Sequence, residues 1–269
     1  MAEKILILVF MSFFGAVMGS FACCQAWRIR YKEQGKEKLG KRSVCLGCKK
    51  QLRWYENIPI VSWIVQGGKC RGCGKEIGRM EIWSEVAGMA VFGLAGWGVL
   101  FGKMSFPMFP ADSHPNVRLI VWGVVLVAMV VMMILAIYDA KWGELPTFLL
   151  ILLIGLGVIT RLIIILFSGD WAVKKILLEM LGAVGILGGL YYVLYYFSKE
   201  KLVGGGDWML GVGIGLLVGE WWLAIWVLFL ANFVGAMAML PQRKRIIAFG
   251  PFLVGAFVLV YVFSGFCLE

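Results

Sequence analysis

Two carboxylates stand where a hydrophobic chain does not keep them without reason. Asp139 closes a long apolar run, and Asp207 follows Gly204-Gly205-Gly206 immediately before another. The chain has only four aspartates, Asp112, Asp139, Asp170 and Asp207. A carboxylate at a membrane boundary carries a desolvation cost, and function is the usual reason it persists. Two carboxylates brought close cannot both ionise easily, so they share one proton. The ionised member then activates water while the protonated one polarises a carbonyl. That chemistry hydrolyses a peptide bond, and neither a nucleophilic serine motif nor an H-E-x-x-H metal motif is present to compete with it.

Each aspartate also has a plainer explanation. Asp207 is suited to a helix N-cap, where it would accept backbone N–H bonds at the positive end of the dipole. A cap needs no preceding run of glycines, however. Gly204, Gly205 and Gly206 lack Cβ atoms, which would let an extended substrate backbone approach and would permit unusual dihedrals. Asp139 falls at a helix C-terminus, where the dipole disfavours negative charge, so its plain reading is an exposed loop carboxylate.

A second constellation is Cys45-x-x-Cys48 followed after 21 residues by Cys70-x-x-Cys73. Two such pairs fit a four-thiolate zinc site. The knuckles repeat: a glycine, Gly47 or Gly72, precedes each second cysteine, and a lysine follows closely to offset thiolate charge. Two disulfides are the alternative, disfavoured if the segment faces a reducing compartment. An all-cysteine set with the only histidine, His114, elsewhere reads as a structural metal, stabilising a segment too small to fold on its own core. Between the knuckles, Arg53 to Trp63 is amphipathic and aromatic. It suits a small module core and an interfacial anchor through Trp54, Tyr55 and Trp63. Cys23, Cys24 and Cys267 lie in apolar runs and read as small buried hydrophobes.

The elements that must position these groups follow from composition. The 269 residues are 61% hydrophobic and 16% charged, with a mean hydropathy of +0.86, so the chain is a polytopic membrane protein. Apolar runs at 5–27, 82–101, 118–138, 145–167, 175–197, 208–219, 221–240 and 249–267 predict an all-α bundle of about eight transmembrane helices. The sixth is short. The first has no cleavage site of the signal-peptide kind and reads as a retained helix. The expected organisation is a first transmembrane helix over 1–27, a cytosolic zinc-binding insert over 28–81, and a transmembrane bundle over 82–269.

Residues 25–82 carry 14 of the 26 basic residues. Lys141, Lys199, Lys201, Arg243, Lys244 and Arg245 fall on the same side if the helices alternate. By the positive-inside rule that side is cytosolic, which puts both Asp139 and Asp207 at the cytosolic interface and both termini outside. The net charge of +10 is then explained by topology and anionic lipid headgroups, with no nucleic acid partner. Within the apolar runs, Glu85, Glu179 and Arg161 are expected to pair internally. Gly15/Gly19, Gly185/Gly189, Gly211/Gly215 and Gly215/Gly219 have the spacing that lets helices pack closely.

In order along the chain come Gly19-Ser20-Phe21 and Arg28, the four cysteines, Arg53-Trp54-Tyr55-Glu56-Asn57-Ile58-Pro59 with Ser62-Trp63, Glu85, Asp139 with Leu145-Pro146, Gly204-x-Gly206-Asp207 and Phe249-Gly250-Pro251. Together they resemble the bacterial prepilin peptidases, or type 4 leader peptidases, of the GxGD aspartyl protease group. The resemblance implies an inner-membrane endopeptidase that removes the basic leader of type IV prepilins or pseudopilins, with Asp139 and Asp207 as the catalytic pair. It implies zinc on Cys45, Cys48, Cys70 and Cys73. It also implies N-methylation of the new amino terminus from S-adenosylmethionine, as in many members. The chain departs from the pattern at Cys23, Arg30 and Ala248, and it carries Lys141 and Thr147 where the family often has further acidic residues. The residues leave three classes open: an intramembrane aspartyl peptidase with or without methyl transfer, a proton-coupled transporter, and a zinc-containing scaffold. Transport sits poorly with carboxylates near one interface, because carrier sites lie near mid-bilayer.

Overall fold

The computed structural model describes residues 1–35, 42–100, 115–168, 170–199, 204–240 and 248–264. His114, Asp112, Cys267, Lys103, Lys201 and the basic run Arg243-Lys244-Arg245 lie outside the described residues. The chain divides into two compact units, Met1–Leu100 and Phe101–Glu269. The first helix therefore stays with the cysteine segment, and so does the helix that follows it.

In the first unit, α1 (Ala2–Glu33) and α3 (Arg79–Leu100) pack as a hairpin. Gly15 and Gly88 lie face to face, so a Cβ on either would run into the other's carbonyl, and Gly19 meets Ser84 in the same way. Between the two helices lie a 3-10 turn (Trp54–Asn57), the short α2 (Val61–Val65) and two isolated antiparallel bridges, Val44 with Gln51 and Lys69 with Glu76. Both long helices run past the apolar stretches that predict them, so α1, at about 48 Å, extends beyond a hydrocarbon core of roughly 30 Å.

The second unit holds α4 (Pro115–Trp142), α5 (Thr147–Leu166), α6 (Asp170–Val184), α7 (Leu190–Ser198), α8 (Asp207–Val218), α9 (Trp221–Met239) and α10 (Gly250–Phe263). α6 and α7 form one continuous rod, joined by a π turn at Gly185–Gly189. Gly185 and Gly189, expected at a helix contact, instead have nothing within 4 Å of where a Cβ would stand. Among the described residues, five helices are long and apolar enough to cross a membrane: α1, α4, α5, the α6–α7 rod and α9, with α8 and α10 apolar but shorter. α3 carries Arg79, Glu81 and Glu85 in its first two turns. The outward-facing Leu, Phe, Val and Trp side chains of these helices are the surface that lipid solvates in place of water.

α8 is the centre of its unit. From Leu210 onward, all but one of its residues are buried. Gly157 of α5 packs on Leu216, Gly213 on Leu153, Gly211 on the Leu187 carbonyl, and Gly215 on the Ala183 carbonyl at 3.0 Å from a Cβ position. Twelve residues give about 18 Å of helix, so α8 is well short of a full crossing. Its last carbonyls are buried where water cannot reach them, and in hydrocarbon such groups need a donor from the protein. Arg161 supplies it. The side chain is buried and donates to the carbonyls of Leu216 and of Leu217, the latter at 2.9 Å. The helix stops at Gly219, with φ of +65°, and the guanidinium fills the space a side chain there would need. The cation also suits the negative end of the α8 dipole.

The three charges expected to pair internally do so with backbone groups. Glu85 accepts from the Ile60 N–H at 2.6 Å, and Glu179 accepts from the Trp221 N–H at 3.4 Å. Ile60 has φ of 62° and ψ of −52°, with Val61 N donating to Pro59 O at 2.6 Å. That is a γ-turn, strained for a β-branched residue, and the buried Glu85 carboxylate holds it.

Candidate functional site

Asp139 lies one turn before the end of α4, and its carbonyl accepts from Gly143, whose φ of +68° turns the chain back. The side chain is 5% exposed. Its Oδ2 accepts from the backbone N–H of Gly250 at 2.7 Å. Gly250 opens α10, so this N–H is one of the orphan donors of a helix start, aimed at an anion in the way such termini favour. A side chain at Gly250 would put its Cβ 2.8 Å from the same oxygen, so any larger residue has to displace the carboxylate or the helix.

Asp207 is 8% exposed and is the first residue of α8, with Gly206 as N-cap. The capping reading would aim its carboxylate forward at the next amides. Instead, Oδ2 accepts from the Gly204 N–H behind it at 2.9 Å, and α8 has no side-chain cap. The glycine run also works differently from expectation. None of the three has positive φ, so backbone freedom is not what they supply. Gly206 must be small, because Leu145 stands 2.6 Å from its Cβ position, while Gly205 and Gly204 have Tyr195 at 3.4 Å and the Asp207 carboxylate at 3.3 Å. Leu145, in the loop that leads to Pro146 and α5, therefore docks the α4–α5 corner onto the start of α8.

The fold brings the two aspartates, 68 positions apart in sequence, within electrostatic reach of one another. Among the described residues neither makes an ion pair. Each is held through Oδ2 by a single backbone N–H. Sequence reasoning noted Gly250 only as part of a motif and gave Leu145 no role. Nothing in the residue pattern ties either of them to a carboxylate more than a hundred positions or a helix away.

In the other unit, Cys45, Cys48, Cys70 and Cys73 place their sulfurs within 4.8 Å of one another, a cluster able to hold a metal ion. Cys45 and Cys73 sulfurs are 3.8 Å apart, far beyond an S–S bond, and all four thiols are free. The knuckles are copies: Gly47 N donates to Cys45 Sγ at 3.3 Å and Gly72 N to Cys70 Sγ at 3.4 Å. Cys45 N donates to Lys50 O at 2.9 Å and Cys70 N to Lys75 O at 2.8 Å. Each glycine lies against the other knuckle's lysine stem, Gly47 on Lys75 and Gly72 on Lys50. The ammonium-bearing chains thus cover the sulfurs across the pair. Beside the cluster, Tyr55 sits between the guanidinium groups of Arg53 and Arg71, at 5.9 and 5.6 Å from the ring centre, while Trp54 is 78% exposed.

Comparison with known proteins bears on both units. Residues 13–99 match the family model described as the bacterial peptidase A24 N-terminal domain. The chain is 29% identical over 257 residues to a prepilin leader peptidase/N-methyltransferase of Bacillus subtilis (strain 168), covering 93% of this chain and 92% of the relative. It is 27% identical over 269 residues to that of Pseudomonas aeruginosa, covering 89% and 84%, and 27% identical over 215 residues to that of Neisseria gonorrhoeae, covering 78% and 66%. No solved structure matches the chain.

Proposed function

We propose, from the premise that this chain resembles the bacterial prepilin leader peptidases along nearly its whole length, that it is an intramembrane aspartyl endopeptidase. It removes the basic leader of type IV prepilins or pseudopilins and then N-methylates the new amino terminus from S-adenosylmethionine. The observation that carries this reading is the pair of buried carboxylates, Asp139 and Asp207, which among the described residues have no cationic partner and are each held by one backbone N–H in a single helical unit. With Oδ2 committed in both, Oδ1 of each is left for the reaction. The ionised aspartate takes a proton from the attacking water as the new C–O bond forms. The protonated one hydrogen-bonds the scissile carbonyl oxygen, and the proton taken from water passes to the leaving amine when the C–N bond breaks. The exposed backbone of Gly204 and Gly205 is where an extended leader junction approaches.

The distribution of Lys and Arg supports an orientation in the bacterial inner membrane with the basic segments, and hence the α4 end bearing Asp139 and the start of α8, in the cytosol. The substrate's own apolar helix then lies in lipid against the bundle. The cysteine cluster fits zinc: four sulfurs at about 2.3 Å from a tetrahedral metal lie roughly 3.8 Å apart, which is the Cys45–Cys73 separation of 3.8 Å. Bound there, zinc supplies structural stability, holding together an insert with too little core to fold alone. Purified protein is expected to contain about one zinc per chain, lost on Cys48→Ser or Cys73→Ser as read by metal analysis. A preparation with intact disulfides and no zinc overturns that assignment.

The reading as a whole is tested by the mass of a candidate prepilin before and after incubation with the purified protein and S-adenosylmethionine. The expected change is loss of the leader together with gain of one methyl group on the mature chain. Leader loss without methyl gain restricts the function to peptidase, and an unchanged mass across type IV prepilins and pseudopilins refutes it.

A further inference from the structure

The α6–α7 rod and α8 run antiparallel, and their contacts form a ladder. A Cβ on Gly215 would meet the Ala183 carbonyl, and one on Gly211 would meet the Leu187 carbonyl. Each step of one turn along the rod is matched by a step of one turn back along α8. Beyond the aspartate, Tyr192 and Trp208 rings lie 5.4 Å apart, and Tyr195 faces Gly205. Continued by one more turn, the ladder brings Tyr191 of the rod level with Asp207 of α8, whose charge bears on the phenol. Tyr191 is 2% exposed. Its ring lies 5.4 Å from Phe249, the residue before the Gly250 that binds Asp139, so the phenol packs on the start of the helix that holds the first aspartate.

The π turn is what puts it there. One extra residue in a helical turn rotates everything after it by about 100°. A regular helix through 185–189 would carry Tyr191 off the face that meets α8. Such turns are frequent at functional sites.

The phenol's hydrogen bonding is half used. Asn232 reaches from α9 and donates through Nδ2 to the Tyr191 oxygen at 3.2 Å, while the same nitrogen donates to the Leu228 carbonyl at 2.8 Å. The amide is thereby oriented, and it occupies a lone pair of the phenol. Among the described residues the Tyr191 O–H finds no acceptor, and a buried donor left unspent is costly unless a ligand completes it. A polar asparagine within an apolar membrane helix is likewise costly and usually functional.

We propose that Tyr191 is a third catalytic residue of this site, donating its O–H to the scissile carbonyl oxygen as that oxygen gains negative charge, with Asn232 as the positioning residue that aims it. The assignment rests on the peptidase reading above. No covalent bond is made or broken by the phenol. It holds a hydrogen bond that strengthens in the transition state, the general action of an oxyanion-hole donor.

Tyr191→Phe keeps the ring against Phe249 and removes only the donor. In purified protein it is expected to lower kcat for leader cleavage roughly 10²- to 10³-fold, with KM and the thermal unfolding midpoint in detergent unchanged. Asn232→Leu is expected to cost a few-fold. The double variant should be no slower than Tyr191→Phe alone, because the amide acts only through the phenol. Full kcat in Tyr191→Phe, a rise in KM alone, or additive losses in the double variant overturns the proposal. Should Tyr191→Phe cleave normally while Asp139→Asn and Asp207→Asn do not, only this proposal fails. Should the aspartate variants cleave, the peptidase reading fails with it.

Discussion

Asp139→Asn and Asp207→Asn are each expected to abolish cleavage of a prepilin leader, while the variants should still insert in membranes and unfold at the parent temperature in detergent. The substitutions are nearly isosteric. An asparagine oxygen can still accept the Gly250 or Gly204 N–H that now holds Oδ2, so packing and the two backbone bonds survive. What is lost is the exchangeable proton. An amide neither takes a proton from water nor gives one to a leaving amine, and general acid–base catalysis of this kind is worth about 10² to 10⁴ in rate. Because the two groups work as one unit, the double variant should be about as slow as either single variant. Cleavage at the parent rate by either variant, followed by mass or gel shift, removes the dyad.

How much of this was legible in the residues depends on the range of the physics involved. Hydropathy is local, and among the described residues each apolar run contains helix, with the short sixth run appearing as the twelve-residue α8. The cysteine knuckles are also local, because spacing, glycine and lysine together specify a turn around a sulfur. Features depending on which helix meets which were not readable. The run Gly185 to Gly189 has the pattern of a close-packing surface, yet it forms a π turn with open space around both end glycines. In a lipid-solvated helix nearly every residue is apolar, so composition does not say which face is inside.

Charged residues in the apolar runs were recognised as needing partners, but the partners proved to be backbone groups left over by irregular structure. Arg161 serves the end of a helix that stops early, and Glu85 serves the γ-turn at Ile60. Predicting either requires knowing where a helix ends in three dimensions. The glycines before Asp207 were expected to admit a substrate backbone and to adopt unusual dihedrals, and none of the three has a positive φ. At Gly206 small size is demanded by Leu145, 2.6 Å from its Cβ position, a contact that exists only once the α4–α5 corner meets the start of α8.

Gly250→Ala gives the sharpest separation of catalysis from stability. The first position of a helix tolerates alanine, and the swap raises helix propensity by up to about 1 kcal/mol, so α10 should form at least as well. The new methyl, however, would stand 2.8 Å from Asp139 Oδ2, closer than carbon and oxygen pack. Either the carboxylate rotates away and loses its 2.7 Å bond to the N–H, or α10 shifts and takes the donor with it. A displacement of that order, near 1 Å, at a reacting group costs roughly 10²-fold in rate. Gly255→Ala on the same helix is the control, since nothing lies within 4 Å of its Cβ position, and it should cleave at the parent rate. Equal activity in Gly250→Ala and Gly255→Ala would mean that the α10 terminus does not orient Asp139 in the working enzyme. Loss confined to Gly250→Ala, with an unchanged unfolding temperature, would identify this backbone N–H as the group that sets the direction of the first aspartate.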